Sequence, residues 1–157
     1  MLITPMSWSN WNQLSYEDET RRHQKTVEEL SDGRLGYLHI RGMNMPSVHE
    51  FEHQLYAAAD GKDALVIDVR NNGGGWTTDV LLTSLTAPVH ASTIPRGVAW
   101  EDAPRDAYPR DRRLIYAWSK PIVVLANEHS FSNAEIFTHA IKNEERGLVV
   151  GEETFGG

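Results

Sequence analysis

The stretch that most limits what this chain can fold into is Pro121-Ile122-Val123-Val124-Leu125-Ala126, a continuous apolar run rich in β-branched residues. Asn127-Glu128-His129-Ser130-Phe131-Ser132-Asn133 follows it, and then Ala134, Phe137, Ala140 and Ile141 recur at helical spacing. A short run that is apolar at every position is the pattern of a strand covered on both faces. The sequence therefore predicts a buried strand that gives way to a helix, with Ser132 at the junction. A hydroxyl there lies near the positive end of the helix, where free backbone N–H groups can receive developing negative charge. Serine at a helix start is also a common N-cap, and the local pattern of Ser130 and Ser132 by itself favours a cap.

The same alternation runs through the rest of the chain. Leu35 to Ile40 reads as a strand, and Ser47 is expected to cap a helix with Val48, Phe51, Leu55 and Ala58 on one face, ended by Asp60-Gly61. Ala64 to Val69 reads as a second buried strand, Thr78 to Leu85 as a short helix, and Leu148-Val149-Val150 as a last strand. The segment from Ala87 to Arg113 has no clear period and reads as a long loop with room for an edge strand. Upstream, residues 1 to 14 read as a linker, or as packing for Trp8 and Trp11 against something outside the chain. A helix start is expected at Ser15-Tyr16-Glu17-Asp18, Arg21 to Leu30 fits a helix or an edge strand, and Asp32-Gly33 marks a turn. Strand–helix alternation implies an α/β fold with a mostly parallel sheet and flanking helices. At 157 residues this is one domain, divided into an N-terminal linker or helical segment, 1–32, and a core, 33–157.

Composition removes several classes of function. The chain has no cysteine, which excludes disulfides, thiolate metal sites and a cysteine nucleophile. Its net charge of −7 argues against a general nucleic-acid binder. No apolar run approaches the length of a membrane span, and Met1-Leu2-Ile3-Thr4-Pro5 lacks the basic region and long apolar core of a signal peptide. The expected location is cytoplasmic, or secreted or periplasmic if an upstream signal has been removed. His49 and His53 stand four apart on one predicted helix face, but no third ligand accompanies them, so neither metal nor cofactor is expected. His129 is three residues from Ser132, and on a tight turn that spacing does not aim it at the hydroxyl. His23, His39, His90 and His139 read as surface or core residues.

A second unusual segment, Asp68-Val69-Arg70-Asn71-Asn72-Gly73-Gly74-Gly75, also stands at the carboxyl end of a predicted strand, where α/β folds build their sites. Three consecutive glycines let the backbone take positive φ and approach a ligand closely, so the loop can aim N–H groups at an oxyanion or a phosphate. It is not a familiar phosphate loop, because Trp76-Thr77-Thr78 stands where Gly-Lys-Ser/Thr would follow, and it lacks the glycine spacing of a dinucleotide site.

Together, Asp68 to Gly75, Ser130-Phe131-Ser132-Asn133-Ala134-Glu135-Ile136-Phe137 and Gly147-Leu148-Val149-Val150-Gly151-Glu152-Glu153-Thr154-Phe155-Gly156 resemble the tail-specific, or C-terminal processing, serine peptidase family. The likeness runs from about Gly33 to the last residue. It implies a catalytic core with the Clp protease–crotonase type of α/β fold. It also implies Ser132 as nucleophile, the N–H groups of Asn133 and Gly75 as oxyanion hole, and Gly73 and Gly74 against the substrate. One branch of the family pairs its serine with a lysine just after Thr-Phe-Gly. Gly157 holds that position here, so the likeness points to the tricorn-type branch. There the base is a histidine upstream of a PDZ-type module, oriented by a glutamate downstream of the nucleophile, and neither region is in this chain. The implied function is a serine endopeptidase core acting on unstructured peptides or protein C-termini, with a homo-oligomer implied by the same likeness. The alternative is a peptide-binding module that keeps the fold without catalysis. A crotonase-type acyl-CoA enzyme is disfavoured by the Ser132 motif. A serine without its base is a poor nucleophile, so the segment alone is expected to be weak or inactive.

Overall fold

In the computed structural model, residues 5–102, 111–112 and 117–157 are described. The first element is a helix, α1 (Trp8–Leu30), whose N-cap Ser7 accepts a hydrogen bond from the Asn10 N–H. It corrects the expected linker over 8–14 and the expected start at Ser15, and it resolves Arg21 to Leu30 as helix; residues 1–4 of the expected linker lie outside the described residues. Ser7 is a good cap, and the Pro5-Met6-Ser7 stretch carries no helical pattern to reveal it. No residue of α1 is fully buried, which is why hydrophobic periodicity gave so little signal there.

Strand β1 (Leu35–His39) follows a turn in which Asp32 and Gly33 both take positive φ. Helix α2 (Met45–Ala57) is capped by Asn44, whose side chain accepts from the Ser47 N–H. Ser47 is thus the third residue of the helix and not its cap. Asn44 supplies the side-chain oxygen, and Pro46 fits the first turn, where its missing N–H leaves no bond unmade. Strand β2 (Ala64–Asp68) leads through the glycine loop to α3 (Thr78–Thr86). The short strands β3 (Ala91–Ser92) and β4 (Asp111–Arg112) pair antiparallel inside the long segment, as a separate two-stranded sheet in place of the single edge strand allowed for there. The loop reading for 103–110 and for Arg113 lies outside the described residues. Strand β5 (Ile122–Ala126), helix α4 (Asn133–Asn143) and strand β6 (Leu148–Gly151) complete the order.

The main sheet runs β1-β2-β5-β6, and every pair in it is parallel. One face is fully covered. Leu38, Ile40, Leu65, Ile67, Val69, Val124 and Ala126 meet Val48 and Phe51 of α2, Leu81 and Leu85 of α3, and Phe137 and Ile141 of α4. Burying a side chain such as Phe137, which is 0% exposed, contributes roughly 1.5–3 kcal/mol. The opposite face carries α1 over β1. Farther along, Val66, Val123 and Leu125 are half-buried, while Leu148 and Val150 on β6 are 68% and 51% exposed. Because the core lies on one side, the carboxyl ends of β2 and β5 are fixed from below by packing. The two loops that leave them are brought together above.

Candidate active site

The loop after β2 is organised by Asn72, which is 0% exposed. Its Nδ2 donates to the Ile40 carbonyl (2.7 Å), and its Oδ1 accepts from the Gly74 N–H (2.9 Å). Its own carbonyl accepts from the Phe131 N–H (2.9 Å). One residue, through its side chain and its main-chain carbonyl, therefore joins the end of β1, the glycine loop and the turn after β5, and a buried amide bonded in this way fixes geometry. The loop is also stitched to the segment before α2. Met43 N–H donates to the Gly74 carbonyl (2.9 Å), and the Trp76 N–H donates to the Met43 carbonyl (2.8 Å). Between these bonds Gly75 is held at φ 144°, and a Cβ on it would lie 1.9 Å from the Met43 oxygen. Only glycine fits.

The turn after β5 is built on Ser130. It is 0% exposed; its hydroxyl donates to the Val69 carbonyl (2.8 Å) and accepts from the Asn127 N–H (3.1 Å). Ser130 is thus a strut between β2 and β5. The Asn127 side chain reaches the same loop, accepting from the Asn71 N–H (3.0 Å) and donating to the Asn71 amide oxygen (3.1 Å).

Ser132 occupies the N-cap position of α4 with φ 55° and ψ −119°. N-caps normally sit in the extended region, and a non-glycine residue held at positive φ costs on the order of 1–3 kcal/mol. This backbone separates Ser132 from an ordinary cap. Its N–H donates to Glu135 Oε2 (2.6 Å), and its carbonyl accepts from the Glu135 N–H (2.8 Å). Among the described residues, its hydroxyl hydrogen has no acceptor.

The two loops touch at Gly74. A Cβ there would meet the Phe131 oxygen at 2.7 Å, Ser132 Cβ at 2.8 Å and the Asn133 nitrogen at 3.0 Å. Gly74, Gly75, Ser132 and Asn133 are therefore brought together, with exposed Gly73 at the rim. Among the described residues neither the Gly75 nor the Asn133 N–H has a hydrogen-bond partner. The Asn133 side chain is tied down instead. Its Oδ1 accepts from the Thr78 N–H (2.9 Å), and the Thr78 hydroxyl donates to the Asn133 carbonyl (2.7 Å), which locks α4 to α3. Two main-chain donors beside a serine at a helix start can receive the negative oxygen of a tetrahedral adduct.

His129 does not join this group: its exposed ring lies 3.5 Å from Glu128. His49 and His53 are exposed on α2, and among the described residues no group of three His, Cys, Asp or Glu could hold a metal ion. No described helix is long and apolar enough to cross a membrane.

Next to the glycine loop, under α1, lies a polar cavity of about 290 Å³ lined by Tyr16, His23, Tyr37, His39, Asp68 and Arg70 among others. The Arg70 Nε donates to both Asp68 oxygens (3.0 Å each), and Tyr37 Oη donates to Asp68 Oδ2 (2.8 Å). Since the Tyr37 proton goes to the carboxylate, its oxygen accepts from His23 Nδ1 (3.2 Å). His39 Nε2 must donate to the Arg70 carbonyl (3.1 Å), which leaves Nδ1 to accept from Tyr16 Oη (2.9 Å). Burial pushes the Asp68 carboxyl up, but the Arg70 guanidinium and N–H and the Tyr37 hydroxyl outweigh it and hold it below the usual carboxylate range. Burial first, and then Asp68, push the Tyr37 phenol far above its ordinary value. This network fixes Arg70, the residue from which the glycine loop departs.

Sequence reasoning did not single out Asn72, Ser130 or Glu135 for these roles. The signal for Glu135 was present, since Ser132-x-x-Glu135 is a capping-box spacing. For Asn72 and Ser130 no local signal separates a buried bridge from a turn residue.

Residues 34–157 match Peptidase family S41. The chain is 37% identical over 144 residues to tricorn protease homolog 1 of Streptomyces coelicolor, a match covering 92% of this chain and 12% of that protein. It is 28% identical over 144 residues to the tricorn protease of Thermoplasma volcanium, covering 92% of this chain and 13% of the relative. Against the chloroplastic C-terminal processing peptidase of Tetradesmus obliquus it is 32% identical over 128 residues, 78% of this chain and 26% of the relative. Among solved structures, the tricorn protease superposes with a TM-score of 0.65 at 27% identity, over 90% of this chain and 13% of that one. The photosystem II D1 C-terminal processing protease gives a TM-score of 0.53 at 29% identity, over 78% of this chain and 31% of that one. The chain thus spans a small part of the length of these relatives.

Proposed function

Since the chain belongs to peptidase family S41, we propose that it is the core of a serine endopeptidase that hydrolyses peptide bonds in unstructured peptides or protein C-termini. The observation that carries this reading is the meeting of the positive-φ Ser132 with two unpartnered N–H groups, those of Gly75 and Asn133, across the Gly74 contact. In the proposed reaction the Ser132 oxygen attacks the scissile carbonyl carbon while a base takes the hydroxyl proton. The carbonyl oxygen becomes an oxyanion between the two N–H groups. Collapse of the adduct breaks the C–N bond, the proton passes to the leaving amine, and water then releases the acyl group from Ser132. Each oxyanion donor contributes on the order of 3 kcal/mol to the transition state.

The base and its orienting carboxylate are assigned to a histidine upstream and a glutamate downstream of the piece spanning 33–157, as the likeness to the tricorn-type branch implies. Gly73 and Gly74 are assigned to the substrate backbone. The assembly is read as a homo-oligomer, which sedimentation of the full-length protein checks. The test of the chemistry is a fluorophosphonate probe on the full-length protein. Ser132 is expected to carry the label, and Ser132→Ala to abolish both label and peptide hydrolysis. An unlabelled Ser132, with hydrolysis that survives Ser132→Ala, overturns the proposal. Peptide binding without turnover by the full-length protein would leave it a binding module.

A further inference from the structure

Glu135 stands on the third residue of α4, where a capping-box glutamate ordinarily reaches back to one N–H, that of the N-cap. Here its carboxylate does more. Oε2 accepts from the Ser132 N–H (2.6 Å) and the Gly157 N–H (3.3 Å), and Oε1 accepts from the Gly156 N–H (2.7 Å). The last two donors lie more than twenty residues downstream, past β6. That returning segment has its own anchors under the serine turn. Glu152 N–H donates to the Ala126 carbonyl (3.2 Å), Phe155 N–H donates to the Ser130 carbonyl (3.1 Å), and the Phe131 and Phe155 rings meet edge to face at 4.9 Å.

The Ser132 backbone lies in a region that its side chain disfavours, so something outside the residue must hold it there. The Ser132 N–H is the group whose direction defines that turn, and Glu135 takes it. Because this N–H is engaged, the free donor at the start of α4 is the next one, that of Asn133. The carboxyl is held below its usual range, above all by the Gly156 N–H; burial opposes this, and the Ser132 N–H, the Thr154 hydroxyl and the Gly157 N–H add to the lowering.

We propose that Glu135 is a positioning residue of the serine turn, fastening the Ser132 main chain to the 156–157 segment so that the hydroxyl and the Asn133 N–H face Gly75. The proposal rests on the peptidase reading above. It assigns Glu135 no contact with substrate, so its removal acts on the chemical step and leaves binding alone.

The experiment uses the full-length protein with Glu135→Gln, which keeps the length of the side chain but turns one of its two acceptor oxygens into a donor group. The expected result is a fall of at least tenfold in kcat, with KM within twofold and the thermal midpoint within a few degrees of wild type. The rate of fluorophosphonate labelling at Ser132 falls in parallel. Glu135→Asp keeps the negative charge at the helix start, which protects folding if the Gln variant fails to fold. Its shorter side chain does not span Ser132 and Gly156 together, so the same loss of kcat is expected. Wild-type kcat and labelling rate in the folded variants overturn the proposal, and so does a raised KM with kcat preserved. A wild-type protein that takes no label at Ser132 overturns the peptidase reading itself. A wild type that labels, with variants that label equally fast, overturns only the role of Glu135.

Discussion

At the scale of single residues, the geometry around Ser132 sets stability against chemistry. A non-glycine residue at φ 55° is strained, and alanine keeps the Cβ that causes the strain whereas glycine removes it. Ser132→Gly is therefore expected to be more stable than Ser132→Ala by about 1 kcal/mol, read from urea unfolding of the two variants side by side. Gly74 presents the opposite case. A Cβ there would press on Ser132 and Asn133 at 3.0 Å or less, and its φ of 87° adds strain. Gly74→Ala is expected to slow labelling of Ser132 by roughly a hundredfold or more, the size of effect seen when an oxyanion donor is lost. Labelling kinetics on the full-length variant check it.

At the scale of elements, the polar network under α1 makes a testable link between pH and stability. Asp68 is nearly fully buried, with a side chain 2% exposed, and the partly exposed Arg70 guanidinium is its main counterpart. Its carboxyl is lowered in the folded chain, so the stabilisation is fully present above the unfolded carboxylate value of about 3.9. It is lost as pH falls through the lower folded value. In Arg70→Met, burial, the largest single effect on the carboxyl, loses its main opponent: the variant is expected to be less stable than wild type at pH 7, and the gap to narrow on acidification toward pH 4. Urea midpoints at the two pH values measure this. The same elements show what the sequence made readable. β2, β5 and α4 were legible because their apolar runs and stripes stand out in the sequence. The all-apolar runs led to the expectation of cover on both faces, but β2 and β5 are fully buried on one face only, and their Val66, Val123 and Leu125 are half-buried. The start of α1 and the cap of α2 were not. α1 docks through Tyr16–His39 and His23–Tyr37 pairs, which leave no periodic trace, and Asn44 and Ser47 are equally good caps until the backbone is seen. Ser132, Asn133 and the glycines were identified as a set through their family likeness. That Asn72 and Glu135 hold the two loops in place depends on contacts 21 to 59 residues apart in the chain, beyond the reach of any local pattern.

At the scale of the whole molecule, the sheet is finished on one face and open on part of the other. Val66, Val123 and Leu148 share one row across β2, β5 and β6, and Leu125 and Val150 share another. The β6 members of both rows are exposed. An apolar surface on an edge strand invites association. The isolated 157-residue chain is expected to self-associate at micromolar concentration, and Leu148→Lys with Val150→Lys to suppress this with little change in thermal midpoint. Light scattering and a melting curve on the double variant check both.

The glycine loop proposed to receive the oxyanion is bonded through Met43 by main-chain atoms alone, carbonyl to amide on both sides of Gly75. Ligand capture by peptide amides has no side chain that drift can delete. Neighbouring side chains such as the solvent-facing indole of Trp76 take no part in those main-chain bonds, so a change of side chain there leaves the proposed anion receptor in place. Its fragile points are the glycines, where gaining a single methyl group does the damage that losing a functional group does elsewhere.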